Sequence, residues 1–534
     1  MSDRSVRDAT LDVFRRRGLT TLFSNPGSTE VPFLAGLPDD IRFVLALHEG
    51  SVVGMATGWA IGKGEPALVV LHTLAGLGNA VAALATARLN RAPLVVVVGQ
   101  QDRRHLALEP FTSGRLAGLA GDYPVWVNEP VRPQDVPGAI SRAYHEAVTG
   151  RGPALVIVPM DDWSAAAADG PEATPARVLR GSGSDPDVVA ALAELLSEGS
   201  NPALVVGALA DDPSTRAALV ALAERRGLPV FQESFGARAG FPQDHPQFAG
   251  HLPADRKRLR DVLAAHDVVL VVGCSALRQY PYADGPLFPE GTTVAVLTDD
   301  PAEVHRSVAD LAVLAHPAAI CAELARVLPA VAASPLPSSR PSAPAPPAAG
   351  EPLRAGHVLA ALAERLAPDA ILVEETPSSR PELHQRIPVR APLGFVSAAM
   401  GGLGFALPAA AGLKLALPDR TVVAVVGDGS SLYSIQALWS AVRYEAGAVF
   451  VILVNGGYAV MDRLAEQVGG EAPWPSFRDV DVATIAEGFA CPVRRISDHD
   501  ELLRALDEVI PSAAARREPI VLAIDVAPDE IFAP

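Results

Sequence analysis

The sequence predicts an α/β protein made of three doubly wound parallel-sheet units, and three observations carry that prediction. Short, continuous, β-branched-rich runs recur along the chain without polar alternation, the pattern of strands covered on both faces. Alanine- and leucine-rich stretches of helical length stand between them. Two Pro/Gly/Ser-rich breaks, a strong one at 331–352 and a weaker one at 164–185, interrupt the alternation.

In chain order, LTTLF (19–23), FVLAL (43–47), ALVVL (67–71), 93–98, ALVIV (154–158), 203–206, 267–272, 293–297, TVVAVV (421–426) and VFVILV (449–454) read as strands. Helices are expected at 79–88, 187–197, 216–225, 354–366, 405–416 and 500–509. The tract 331–352, VAASPLPSSRPSAPAPPAAGEP, has nothing to bury and reads as an extended linker. The expected domains are therefore 1–165, 185–330 and 353–534, in keeping with 534 residues at roughly 150 per domain.

Composition narrows the function. The net charge is −17, so the surface repels phosphate backbones and a nucleic-acid partner is not expected. The longest apolar runs, PLVVVVG and VVLVVG, fall well short of the ~20 residues that cross a bilayer. The first ten residues, MSDRSVRDAT, have no apolar core and do not read as a secretory signal. Cys274, Cys321 and Cys491 are odd in number and far apart, which argues against a disulfide framework or a zinc site. A cytoplasmic protein with buried or incidental thiols is expected.

Ligands of open α/β sheets bind beyond the carboxyl ends of the strands, so the polar residues that follow each apolar run are the candidates. TVVAVV runs into Gly427-Asp428-Gly429-Ser430, and VFVILV into Asn455-Gly456-Gly457-Tyr458. An Asp carboxylate and an Asn carbonyl are hard oxygen donors of the kind Mg²⁺ takes together with phosphate oxygens. Gly427 and Gly429 let the backbone approach a phosphate. A helix starting at Ser430 would offer its N-terminus to the same anion. Alone, each motif is a turn; as a pair at two strand ends they read as a metal–diphosphate site. In the first unit Ser28, Glu49 and His72 follow strand ends and make a credible acid–base set. Each has a structural alternative. Ser28 and Glu49 could serve the first turns of helices, and His72 could be a satisfied core histidine.

With these residues in hand, the chain resembles the thiamine-diphosphate-dependent decarboxylases, on the benzoylformate decarboxylase branch. The likeness rests on NPGSTEVPFL (25–34), LALHEGSVVGMATGWA (45–60), LHTLAGLGNAVAAL (71–84), MDDW (160–163), GGLGFALPAA (401–410), AVVGDGSSLYSIQALW (424–439) and VNGGY (454–458). It implies thiamine diphosphate and Mg²⁺ as cofactors and a small 2-oxo acid as substrate. It implies a pyrimidine-binding, a central and a diphosphate-binding domain. It implies a homodimer or homotetramer with active sites between subunits.

By the same resemblance, Asp428, Asn455 and the Gly457 carbonyl would hold the metal. Ser430, Tyr433, Thr376, Pro377, Ser378 and Tyr458 would lie around the cofactor. Leu403 would wedge beneath it, Gly401 would accept from its aminopyrimidine, and Glu49 would bond its pyrimidine nitrogen. Ser28 and His72 would face the substrate. Tyr280 stands where the family places a second catalytic histidine, and a phenol releases its proton only in the alkaline range. Val460, Met461 and Leu464 replace an expected aromatic wall, with Ser397, Ala398 and Arg380 opposite.

The expected reaction is non-oxidative decarboxylation to an aldehyde. A carboligase, including acetolactate-synthase-like condensation, is the alternative, because a missing second histidine slows protonation and favours a carbonyl acceptor. A nicotinamide or flavin oxidoreductase is disfavoured because no GxGxxG follows a strand. Retention of Glu49 argues against an inactive regulatory subunit.

Overall fold

The computed structural model describes residues 4–528 except 170–174, 177, 180, 281, 333–334, 337–339 and 349. Parts of both breaks, 331–352 and 164–185, thus lie outside the described residues. The described part of the longer break forms no helix or strand. It lies against the body through Arg340, which donates to the carbonyls of Gln385 (3.1 Å) and Gln243 (2.9 Å).

Three six-stranded sheets form, each parallel throughout. The first holds β1 (Thr21–Asn25), β2 (Arg42–Leu45), β3 (Ala67–Leu71), β4 (Leu94–Gln100), β5 (Trp126–Asn128) and β6 (Pro153–Pro159), ordered β2-β1-β3-β4-β6-β5. The central sheet holds β7 (Ala203–Val206), β8 (Val230–Gln232), β9 (Phe248–His251), β10 (Val268–Val272), β11 (Thr293–Thr298) and β12 (Leu311–Leu314), ordered β12-β11-β10-β7-β8-β9. The third holds β13 (Ile371–Glu375), β14 (Phe395–Ser397), β15 (Val422–Gly427), β16 (Val449–Val454), β17 (Val493–Ile496) and β18 (Ile520–Asp525), ordered β14-β13-β15-β16-β18-β17. The first and third orders are the same once each sheet is numbered from its own first strand.

The buried runs became strands because helices cover both faces, so every side chain along ALVVL or VVAVV is out of water. The six expected helices are present as Thr73–Leu89, Pro186–Glu198, Pro213–Arg226, Ala355–Ala363, Ala406–Ala416 and His499–Val509. Two starts differ from expectation. The helix after β3 begins at Thr73, not after Asn79, because Leu77 and Ala80 are buried and Asn79 bonds Glu49 from that turn. The helix after β15 is a single turn, Asp428–Ser431, that begins at the aspartate rather than at Ser430. All three cysteines are free and buried.

The first and third units share one continuous apolar core, centred on the helices Glu49–Lys63 and Ala406–Ala416. Their backbones nearly touch. A β-carbon on Gly58 would sit 2.1 Å from the Ala409 carbonyl oxygen, and one on Gly412 would sit 1.9 Å from that of Met55. Only glycine fits such a crossing. Two reciprocal polar contacts orient the pair. At the carboxyl end of β2, the Leu45 amide donates to the Tyr444 phenol (2.7 Å), and Tyr444 lies at the amino edge of the third sheet. Beyond β14, Asn90, at the amino edge of the first sheet, donates to the Ser397 carbonyl (2.8 Å) and accepts from the Ala399 amide (2.8 Å). The carboxyl edges of the two sheets therefore face opposite ways within one chain. Among the described residues, no helix is long and apolar enough to cross a membrane.

Candidate active site

The two edges carry different chemistry. In the third sheet β15 and β16 are neighbours, with Gly427 opposite Leu453, so Asp428 and Asn455 emerge side by side. Asp428 Oδ1 accepts from the Gly429 amide (2.8 Å), and Oδ2 from those of Asn455 (3.1 Å) and Gly456 (2.7 Å). Asn455 Oδ1 accepts from the Gly457 amide (3.0 Å). Asp428 is buried and pairs with no basic side chain among the described residues. Burial pushes its carboxyl above the usual range, against the pull of three amides. A buried carboxylate beside an amide oxygen is the donor chemistry that a small hard cation takes when phosphate oxygens supply its remaining positions.

A cavity of about 1260 Å³ opens in front of this pair. The loop Thr376-Pro377-Ser378 lines it, and Ser378 Oγ accepts from the Val460 amide (3.1 Å). The Gly401–Leu403 turn faces that loop, with Gly401 in the left-handed region at φ +70°. Gly427, Gly429, Ser430, Tyr433, Gly457 and Tyr458 complete the polar end. Ala398, Val460, Met461 and Leu464 line the apolar part, and Tyr280 reaches it from the central unit. Ser397 does not line it. It is buried behind the wall, where its hydroxyl donates to Glu374 (2.9 Å) and accepts from Arg380 (2.8 Å). Arg380 does line the cavity, yet its guanidinium is committed to Glu374 at 2.6 Å.

The sequence reading missed several cavity residues. His251 of β9 and His384 of the third unit stack with ring centroids 4.0 Å apart. Burial holds His251 well below its ordinary value and brings His384 down to about 3, disfavouring the charged form of both rings. Trp474 supplies an aromatic wall from beyond the segment where one was expected, donating to Asp462 (2.9 Å).

Ser28, Glu49 and His72 gather on the other edge, outside this cavity. Glu49 opens the helix Glu49–Lys63 and is buried. Its two oxygens accept from Asn25 Nδ2 (3.2 Å) and Asn79 Nδ2 (3.0 Å), so among the described residues only neutral donors hold it. His72 Nδ1 lies 3.0 Å from Glu30 Oε2. A carboxylate there assigns the proton to Nδ1 and leaves Nε2 as the acceptor. Glu30 is almost fully buried and also accepts from the Gly27 amide (2.8 Å). Gly27 lies on the imidazole face, and a β-carbon there would sit 2.4 Å from the ring. This Glu30–His72 pair was also missed; its signal was a lone acid in the NPGSTE turn. Thr73 follows in a strained left-handed conformation (φ +34°), with a buried hydroxyl that has no partner. A backbone outlier and a buried, unpartnered hydroxyl thus sit directly beside His72. Ser28 sits exposed on the preceding turn and does not cap a helix.

Two polar strand edges and a large cavity are thus in place, and the class of protein they belong to follows from the sequence itself. The N-terminal TPP binding domain of thiamine pyrophosphate enzymes matches residues 4–116, the central domain 189–324 and the C-terminal TPP binding domain 378–524. The chain belongs to the thiamine pyrophosphate enzymes. Within them it is similar to a benzoylformate decarboxylase of Pseudomonas aeruginosa, at 38% identity over 95% of this chain and 97% of the relative. It is also similar to the structure of a thiamine diphosphate-dependent 4-hydroxybenzoylformate decarboxylase from Rhodococcus jostii RHA1, with a TM-score of 0.92 and 35% identity over 99% of this chain and 100% of that one. A large subunit of acetolactate synthase from Parasynechococcus marenigrum is 28% identical over 97% of this chain and 86% of its own length.

Proposed function

We propose that the protein is a thiamine-diphosphate- and Mg²⁺-dependent decarboxylase of a benzoylformate-like 2-oxo acid, with each active site shared by two copies of the chain. The observation that carries the cofactor assignment is the buried Asp428 carboxylate, which has no basic side-chain partner among the described residues, beside Asn455 at the mouth of the cavity. In this reading Asp428, Asn455 and the Gly457 carbonyl hold Mg²⁺, and Ser430 with residues 376–378 flanks the diphosphate. When bound, thiamine diphosphate supplies the electron sink that accepts the pair left behind as CO₂ departs.

The chain's own residues do the rest. Glu49, held by Asn25 and Asn79, keeps a carboxylate aimed at the pyrimidine nitrogen. Leu403, which lines the cavity, would support the cofactor, and the Gly401 carbonyl would accept from its amino group. His72, oriented by Glu30, presents Nε2 to move a proton at the substrate carbon, and Ser28 binds the substrate's polar end. The opposed edges support the sharing of sites. Glu49 and Asp428 cannot meet within one chain, and apolar side chains stand exposed at both edges: Leu47, Leu74 and Phe111 on the first, Met400 and Met461 on the third. The division into domains 1–165, 185–330 and 353–534 rests on the three sheets and the irregular tracts between them.

One observation favours a carboligase as second reading. Tyr280 is half exposed at the place of the expected histidine, and burial disfavours the charged form of the two histidines that do line the cavity. The test is turnover of a 2-oxo acid panel, from pyruvate through branched-chain acids to benzoylformate, with thiamine diphosphate and Mg²⁺. Release of benzaldehyde from benzoylformate is the expected result. Turnover only after an aldehyde or second oxo acid is added would overturn the decarboxylase reading in favour of the carboligase.

A further inference from the structure

β13 ends in two adjacent carboxylates, Glu374 and Glu375, and neither lines the cavity that the strand feeds. Glu374 has evident work. Burial lifts its carboxyl, but Arg380 and Thr376 outweigh that and hold it below the usual range. Glu375 has no basic partner among the described residues, and burial pushes it up to about 7. Its Oε1 accepts from the Gly404 amide (2.7 Å), and its Oε2 from those of Phe405 (2.8 Å) and Ala406 (2.7 Å). These are the opening donors of the helix Ala406–Ala416, whose own N-cap residue, Phe405, supplies no side-chain cap. Glu375 is thus a cap delivered from a strand 30 residues away in sequence.

The capped turn is the one that enters the cavity. Gly401 and Gly404 both hold positive φ, +70° and +89°, and Leu403 between them faces the open space. Glu375 lies opposite Val426 in the β13–β15 ladder, and Asp428 emerges two residues beyond Val426. The carboxylate therefore fastens the Gly401–Leu403 wall to the same strand pair that carries Asp428. Without it, that wall would hang on glycines, the residues least able to hold a backbone in one place.

We propose that Glu375 is a positioning residue that fixes the distance between the Gly401–Leu403 wall and the Asp428 pair, and so sets the grip on the organic part of thiamine diphosphate but not on its diphosphate. This rests on the thiamine-diphosphate reading of the site. Glutamine at this position keeps the shape, but it loses the charge and turns an N–H group toward amides that need an acceptor.

The test is calorimetric titration of the full chain, in the presence of Mg²⁺, with two probes: thiamine diphosphate and inorganic diphosphate. For Glu375→Gln, thiamine diphosphate should bind about 10- to 100-fold more weakly, the usual range for losing a supporting hydrogen-bond partner, while inorganic diphosphate binds as to the wild type. If Glu375→Gln does not melt cooperatively, Glu375→Asp carries the same comparison, because it keeps the charge while shortening its reach. Equal weakening of both probes, or of neither, overturns the proposal. A wild-type chain that binds neither probe overturns the reading of the site itself, a different and recognisable failure.

Discussion

The first and third sheets share one strand order, and each presents its polar residues beyond the carboxyl ends of its strands, after β1, β2 and β3 in the first and after β13, β15 and β16 in the third. The residues placed there have little in common. On the first sheet, side chains take the larger part in holding the acids: two asparagines for Glu49, and a histidine beside one main-chain amide for Glu30. On the third, Asp428 is held by main-chain amides alone. Side-chain partners leave a carboxylate able to exchange hydrogen bonds with a ligand ring. A cradle of amides fixes both oxygens and aims the remaining lone pairs at one point. Topology settles where a site forms, and the kind of donor around each acid settles what it can do.

That contrast can be broken by experiment. Glu49→Gln should cost the most turnover, about 10²- to 10⁴-fold as for loss of an acid–base group, with thiamine diphosphate affinity nearly unchanged; steady-state kinetics beside calorimetry separate the two. Asp428→Asn should act the other way round. It should weaken Mg²⁺-dependent cofactor binding by about 10- to 100-fold and lower turnover chiefly through that loss, so excess cofactor should restore much of the rate. If both variants lose affinity alike, the division of labour between the edges is wrong. The smallest effect is expected at the seam joining the units. Gly58→Val forces a side chain against the Ala409 carbonyl and should lower stability by about 1–3 kcal/mol in chemical denaturation.

Much of this was legible in the sequence because strands buried on both faces carry unbroken apolar runs. VVAVVG and VFVILV announce both a strand and the polar residue that ends it. Edge strands were harder to see. Trp126–Asn128 and Phe248–His251 are short and only partly buried, and Val493–Ile496 carries two arginines, so none leaves an apolar signature. The early start at Thr73 was hidden by Gly76 and Gly78, poor helix formers that tertiary packing overrides. Ser397 followed a short strand and looked like a wall residue, but a buried Arg380–Glu374 pair draws it inward. The stacked His251 and His384 come from two units 133 positions apart. Glu375 left no trace at all, because its partners are main-chain amides, which every residue but proline possesses.

The opposed carboxyl edges have a genetic consequence. If sites form only between chains, a copy damaged at Glu49 and a copy damaged at Asp428 are not two dead proteins. In a mixed pair both injuries fall on one site, and the other is assembled from the sound halves. Two inactive alleles could then complement each other, whereas a single bad allele would burden the product of its healthy neighbour.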